Sequence, residues 1–207
     1  TRLASVLHLA AYYDFSGAPS PKYEEITVRG TERLLRHLGD FEVEQFIFSS
    51  TMLLHAPSSP GQKINEESPV RPTWPYPESK VKTEALIREK RGRIPTVILR
   101  IAGVYDEKTH SIPLAHQMQR VEERQLPGHF FPGDVRHGQA FAHLEDVVDA
   151  IVRVVDRRAN LGDEETILIG EAEAVSYGEL QRIFGLQLHG IPSRTCRIPK
   201  PIAKAGA

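Results

Sequence analysis

Phe46-Ile47-Phe48-Ser49-Ser50-Thr51 is an apolar, β-rich run ending in hydroxyls, and 25 residues after Thr51 comes Tyr76-Pro77-Glu78-Ser79-Lys80. The first stretch reads as a buried strand. In the second, Pro77 suits the first turn of a helix, which places Tyr76 at the helix mouth. Tyr76 and Lys80 are four apart, so on that helix they share a face with Cβ atoms about 5–6 Å apart. A phenol, an ammonium and the hydroxyl of Thr51 are the parts of a proton relay. A free tyrosine titrates near 10, and bringing it to about 7 takes about 3 units, or roughly 4 kcal/mol of preference for phenolate. A neighbouring positive charge supplies part of that. The group can then take a proton from an alcohol or return one to a carbonyl, with Thr51 holding the same oxygen. A Tyr-x-x-x-Lys by itself is a weak motif in a chain with six tyrosines, and its bland counterpart is a solvated pair on an ordinary amphipathic helix. Its surroundings decide between the two.

At 207 residues, 40% hydrophobic and 26% charged, the chain is long enough for one domain with a substantial core. Lys+Arg 26 against Asp+Glu 27 leaves a net charge of −1 without blocks of like charge. Nucleic acid and acidic membrane surfaces are therefore not expected as partners, whereas a small-molecule substrate is. One cysteine, Cys196, excludes an internal disulfide and fits a reducing compartment. No stretch approaches the roughly 18 apolar residues of a membrane span, and no basic-then-apolar signal opens the chain. A cytoplasmic protein is the expectation. The strand-like Ser5-Val6-Leu7-His8-Leu9-Ala10-Ala11 so close to Thr1, with no starting Met, suggests a piece of something longer.

Short β-like runs alternate with helical patterns. Strands are expected at 5–10, 45–50, 96–101 and 166–169, and helices at 23–38, 76–91, 111–123 and 144–158, with a short helix opening at Ser176. Ser176 and Glu179 have capping-box spacing. Such alternation predicts parallel strands joined by crossover helices. The proline-rich stretch from Pro57 to Pro75 reads as a loop crossing the ligand end of the sheet, where active-site loops of doubly wound sheets lie.

Taken together, these residues resemble the extended short-chain dehydrogenase/reductase family, also called the NAD-dependent epimerase/dehydratase family. His8-Leu9-Ala10-Ala11 resembles its strand end beside the cofactor, and Gly30-Thr31-Glu32-Arg33-Leu34-Leu35 its Gly-Thr-x-x-Leu-Leu helix. Phe48-Ser49-Ser50-Thr51 resembles the hydroxyl-bearing strand, and Leu99-Arg100-Ile101-Ala102-Gly103-Val104-Tyr105 the strand and turn under the nicotinamide. Phe141-Ala142-His143-Leu144-Glu145-Asp146-Val147 resembles the segment that opens a later helix. The resemblance implies a Rossmann-like α/β fold, a doubly wound parallel sheet that is partial because its N-terminal strands are missing, with a small C-terminal substrate-binding part. It divides the chain into 1–110, the later half of the dinucleotide-binding domain with the catalytic motif, and 111–207, a mixed substrate-binding region with an incomplete C-terminus. Tyr76 would be the catalytic acid/base, Lys80 its pKa-lowering partner and ribose ligand, and Thr51 the substrate-oxygen donor. Leu9, Ala10, Ala11, Tyr13, Thr27, Ser49, Ala102 and Val104, with Tyr76 and Lys80, would line NAD or NADP. For the apolar members of that set, ordinary strand packing is an equal alternative. A homodimer through the helices after the Gly-Thr and Tyr-x-x-x-Lys motifs is also implied.

Several residues depart from the family pattern. The phosphate-cradling Gly-x-x-Gly-x-x-Gly is absent, as if the chain began at the fourth strand. Thr27 stands in place of an Asn, Gly103 in place of an Asn and Gln139 in place of an Arg. The last two weaken a grip on a diphosphate, for which Arg136 is a candidate replacement. Met52 and Leu53 replace the Asp-Glu pair of sugar dehydratases. The nine histidines show no metal-ligand spacing, so no metal is expected. His55 and His143 are each placed where they could enter the site, with a structural or solvated role the expectation; Asp146 is expected to cap or charge-stabilise a helix start, and Ser49-Ser50 lacks the glycine-flanked elbow of a hydrolase. The resulting expectation is hydride transfer between a nicotinamide cofactor and a carbinol or carbonyl carbon, by an epimerase or a reductase, with the departures favouring a substrate other than a common nucleotide sugar. A catalytically silent dinucleotide-binding scaffold of the same fold is the alternative.

Overall fold

The computed structural model describes residues 1–14, 16–59 and 61–198. Four parallel strands form the central sheet: β1 (Val6–His8), β2 (Phe46–Thr51), β3 (Thr96–Ile101) and β4 (Glu164–Ile169), in the spatial order β4-β3-β2-β1. β2 pairs with β3 from Phe46–Thr96 through Thr51–Ile101, and β3 with β4 from Thr96–Glu164 through Ile101–Ile169. Thr51, Ile101 and Ile169 therefore end level, on one edge, and the chain leaves β1 toward that same edge.

Parallel neighbours require crossovers. Between β1 and β2 the chain makes a π-helical turn, Tyr23–Val28, and then α1, Arg29–Leu38. Between β2 and β3 it forms α2, Pro75–Lys90, with prolines in the first turn where their missing N–H groups leave no ladder bond unmade. Phe46, Phe48 and Ile98 from one sheet face meet Leu35 and Leu38 of α1 and Ile87 of α2 in a closed core. Ile47, Val97 and Leu99, of opposite parity, are equally buried, as in parallel strands covered on both faces. At the foot of β2, buried Gln45 links Ser5 to α4 (Leu144–Asp156): its Nε2 donates to Val154 O at 3.2 Å, and its Oε1 accepts from Ser5 Oγ at 3.0 Å.

The expected elements are present within a few residues of their predicted ends. The π-helical start of the first helix was not anticipated. There the Thr31 hydroxyl bonds the carbonyl of Thr27 at 2.6 Å, and the Thr27 hydroxyl accepts the Tyr12 N–H at 2.9 Å. Also unanticipated are two- and three-residue pairings, such as Arg2–Leu3 with Glu42–Val43, which are too short to carry periodicity.

Two compact units divide the chain. The first comprises 1–58, 63–102 and 147–169, and so takes back the last sheet strand; the second comprises 59–62, 103–146 and 170–207, and of these ranges 15, 60 and 199–207 lie outside the described residues. Within the second unit, α3 (Ile112–Glu122) and α5 (Tyr177–His189) pack together, with His189 Nε2 bonded to Val121 O at 2.9 Å. Ser176 caps α5 through the Glu179 N–H at 3.2 Å, as its spacing predicts. Gly103–Tyr105 pairs with Phe141–His143 in parallel. Among the described residues no helix is long and apolar enough to cross a membrane.

Ile98 lies at the centre of the core with no exposure. Ile98→Ala is expected to lower stability by roughly 2–5 kcal/mol, read from denaturant unfolding; a loss under 1 kcal/mol would remove β3 from the core as described.

Candidate active site

α2 turns an unusual face to the sheet. Its buried residues are Pro77, Ser79, Lys80, Thr83, Glu84 and Ile87, of which most are polar or charged. Ser79 and Thr83 satisfy their hydroxyls on the helix's own carbonyls, Tyr76 O at 2.6 Å and Ser79 O at 2.8 Å. Lys80 reaches past them into the protein. It is 2% exposed, donates to Ser49 O of β2 at 2.6 Å, and places its ammonium 4.7 Å from the ring centroid of Phe48. Burial brings its pKa down from 10.5 to about 8, and the negative charge of Glu84, one turn further along, opposes the fall. Among the described residues Ser49 O accepts from Nζ, and an ammonium carries three donors in all.

Tyr76 is on the same side of the helix, its ring centroid 5.8 Å from Lys80 Nζ. Its ring forms a T-shaped pair with Tyr13, centroids 4.5 Å apart, and the Trp74 ring centroid stands at 5.6 Å. The expected drop of the phenol toward neutrality is not produced by the protein alone. Burial, reinforced by the neighbouring Tyr13, pushes it up to about 12, while a hydrogen bond with the Thr51 hydroxyl opposes the rise. Thr51 Oγ1 also accepts the Leu53 N–H at 3.3 Å, capping the single turn Met52–Leu54. Tyr76, Lys80, Thr51 and Ser49 are thus brought together at the carboxyl edge of β2.

A charged network beneath them escaped the sequence reading. Glu84 is 2% exposed and accepts from Ser50 Oγ at 2.5 Å and from Arg100 Nε and Nη2 at 3.2 and 2.8 Å. The Arg100 fork is bidentate and itself buried, which makes the pair strong and its single removal costly. Arg100 Nη1 continues to His55 Nε2 at 3.3 Å and Glu66 O at 3.2 Å. The signals available in the sequence were an arginine inside an otherwise apolar strand and a glutamate four residues after Lys80.

Of the other anticipated cofactor residues, Leu9 and Ala10 are exposed beyond β1 and Ala11 is half-buried. Ala102 follows β3 and donates its N–H to Ile169 O at 2.9 Å. Thr27 has no exposure, and its hydroxyl is occupied by Tyr12. Val104 belongs to the second unit, in the strand paired with Phe141–His143. In that unit a side chain on Gly103 would begin 2.5 Å from Gln139 Nε2, so the two departures from the family pattern occupy one space. Arg136 is folded onto Asp134 with contacts at 2.6 to 3.1 Å. His143 Nε2 lies 3.0 Å from Glu107, and its Nδ1 accepts the Glu145 N–H at 3.4 Å at the start of α4. Among the described residues no group of His, Cys, Asp or Glu is arranged to hold a metal ion.

The sequence profile of the NAD dependent epimerase/dehydratase family matches residues 1–170. The chain belongs to that family. UDP-glucose 4-epimerase of Streptomyces lividans is 30% identical over 209 residues, covering 90% of this chain and 61% of the epimerase. dTDP-D-glucose 4,6-dehydratase of Mus musculus is 35% identical over 104 residues, 48% of this chain and 29% of that protein. The crystal structure of UDP-glucuronic acid 4-epimerase from Bacillus cereus in complex with UDP-glucuronic acid and NAD superposes with a TM-score of 0.77 at 22% identity, covering 99% of this chain and 68% of that one. This epimerase/dehydratase-family chain therefore spans about 61% of the length of the Streptomyces relative, and shares a fold with the Bacillus enzyme.

A buried ammonium is a burden on stability that an apolar side chain would not carry. Below about pH 8 the folded and unfolded states both hold the Lys80 proton; between about 8 and 10.5 the folded state sheds it first, and stability rises with pH. Lys80→Met is therefore expected to be more stable than the native chain at pH 7, by up to roughly 3 kcal/mol, with the gain shrinking toward pH 10.5. Unfolding curves for both proteins across that range test this; a variant less stable at neutral pH would show that the ammonium is no burden.

Proposed function

We propose that this chain is part of an NAD- or NADP-dependent oxidoreductase or epimerase that moves hydride between a nicotinamide cofactor and the carbinol or carbonyl carbon of a small molecule, a sugar or another alcohol or ketone. The observation that carries this reading is the arrangement on α2: an ammonium kept inside the protein against a strand carbonyl, on one face with a phenol that the Thr51 hydroxyl holds at the carboxyl edge of a parallel sheet. The phenol, ammonium and hydroxyl together argue against a catalytically silent scaffold, which needs the ammonium to bind a dinucleotide but not the phenol.

A nicotinamide dinucleotide, when bound, supplies the hydride acceptor or donor that no side chain here provides. Lys80 would hold it through its ammonium, and Leu9, Ala10, Ala11, Tyr13, Ser49 and Ala102 would line it. Tyr76 exchanges the proton at the substrate oxygen. Raised to about 12 by burial, it is a neutral phenol in the protein alone, suited to delivering a proton to a carbonyl oxygen; accepting one requires further positive charge near its Oη. Thr51 Oγ1 shares that oxygen and fixes its direction. Met52 and Leu53 offer neither proton donor nor acceptor, so the reading stops at hydride and proton transfer without loss of water. The second unit is read as the substrate-binding part. Its Gly103–Gln139 contact and its Arg136–Asp134 pair support a substrate whose diphosphate, if it has one, is not gripped by a guanidinium there. Residence in the cytoplasm and assembly as a homodimer belong to the same proposal.

Calorimetry with NAD(H) and NADP(H), followed by nicotinamide absorbance against alcohols, free sugars, UDP-glucose and dTDP-glucose, tests it. Tyr76→Phe is expected to lower turnover by about 10²–10⁴-fold while leaving cofactor affinity nearly unchanged. Turnover that survives Tyr76→Phe would end the assignment, and cofactor binding with no turnover on any substrate would favour the scaffold.

A further inference from the structure

His55 follows the Met52–Leu54 turn and is 6% exposed. Its two ring nitrogens face partners that leave one protonation state. At Nε2 stands Arg100 Nη1, 3.3 Å away, and a guanidinium has only donors, so Nε2 must accept. At Nδ1 stands the Ser68 carbonyl, 3.0 Å away, which has only lone pairs, so Nδ1 must donate. Both requirements are met by the neutral Nδ1–H tautomer alone. A second proton would set N–H against N–H and place two cations 3.3 Å apart in a buried site. Burial and the Arg100 charge accordingly hold the imidazole below its ordinary value, with backbone hydrogen bonds and Glu84 opposing.

The imidazole joins two parts of the first unit. On one side is the stem of the loop ahead of α2, where His55 bridges Val70, Ala56 N–H bonds Pro69 O at 2.9 Å and Arg71 N–H bonds Leu54 O at 2.8 Å. On the other is Arg100, fixed to Glu84 on α2. The charged groups that face His55 are Arg100 from β3, Glu84 from α2 and Glu66 from the loop, whose carboxylate is itself tied to the Leu168 N–H of β4 at 3.0 Å.

We propose that His55 is a positioning residue for the reaction at Tyr76: as the neutral Nδ1–H tautomer it ties the loop stem to the Arg100–Glu84 pair, and so fixes the entry of the helix that carries Tyr76 and Lys80. The link to a reaction rests on the function proposed above, but the tautomer and the tie do not. Because the folded imidazole is harder to protonate than the free one, the tie is complete above about pH 6.5 and is lost as the pH falls through the depressed value.

Nitrogen-resolved NMR of the imidazole at about pH 7.5 is expected to show Nδ1 protonated and Nε2 bare, and hydrogen exchange at the Ala56 and Arg71 amides, corrected for intrinsic rates, to accelerate as His55 takes its proton. His55→Gln, whose carbonyl still accepts from Arg100 but does not titrate, should abolish that pH dependence. His55→Leu should exchange those amides roughly tenfold faster at every pH. In turnover assays the acid limb of kcat should flatten in His55→Gln with KM little changed. An Nε2–H tautomer, or amide exchange in the native chain that ignores protonation of His55, would overturn the proposal; both are read on the native protein, so a misfolded variant does not obscure them. A correct tautomer and tie in a protein that turns over no substrate would instead count against the function proposed above.

Discussion

The ammonium of Lys80 sits inside the first unit with a strand carbonyl at 2.6 Å and an aromatic face at 4.7 Å, and the packing of α2 is arranged around that fact. A helix crossing a parallel sheet ordinarily turns an apolar stripe inward. α2 turns Ser79, Lys80, Thr83 and Glu84 inward, with Ile87 as its main aliphatic contact to the core. Such a face is stable only if each polar group finds its partner, since an unpaired buried donor or acceptor costs about 1–3 kcal/mol and a charge more. The partners come from the helix's own carbonyls, from Ser49 and Ser50 on β2, and from Arg100 on β3. The helix is consequently held in a definite register by directional bonds, where an aliphatic face would leave it room to slide.

The same constraint explains what was legible in the sequence. The strands read clearly because Phe46, Ile47, Phe48 and Val97, Ile98, Leu99 are continuous apolar runs, the pattern of strands covered on both sides. α1 read clearly because Leu35 and Leu38 mark its inner face. α2 was recognisable through Tyr76 and Lys80, whose four-residue spacing brings them to one side, rather than through hydrophobic periodicity. Glu84 continues that spacing, but in a helix crowded with Glu78, Lys82, Arg88 and Glu89 a further charge looks like solvated surface. Its partner gave the better clue. Arg100 shares a strand face with Ile98, and a charge in that position needs a buried counter-charge. His55 and Ser68 could not be paired from sequence at all, because the loop between them follows no period.

The electrostatics of the phenol show where reasoning from spacing alone falls short. Four residues along a helix suffices to place Lys80 near the Tyr76 ring, and it does so at 5.8 Å. Proximity does not by itself lower a pKa. Desolvation acts on both groups, against the phenolate and against the ammonium, and each shifts toward its neutral form. The pair as folded is therefore a neutral phenol beside a weakly held proton.

That poise explains why Glu84 matters to the pair although it bonds to neither Tyr76 nor Lys80. An ammonium with a pKa near 8 retains most of its charge at neutral pH, and Glu84 is the opposing charge that keeps it from falling further. The Glu84 oxygens are held by Ser50 and Arg100, with Arg88 at 3.5 Å, and Arg100 in turn gives its Nη1 to His55 and the Glu66 carbonyl. Charge at the candidate site and order in the loop stem thus depend on one guanidinium. Replacing Arg100 would alter both together, because its hydrogen bonds are divided between the helix that holds the phenol and the loop that precedes it.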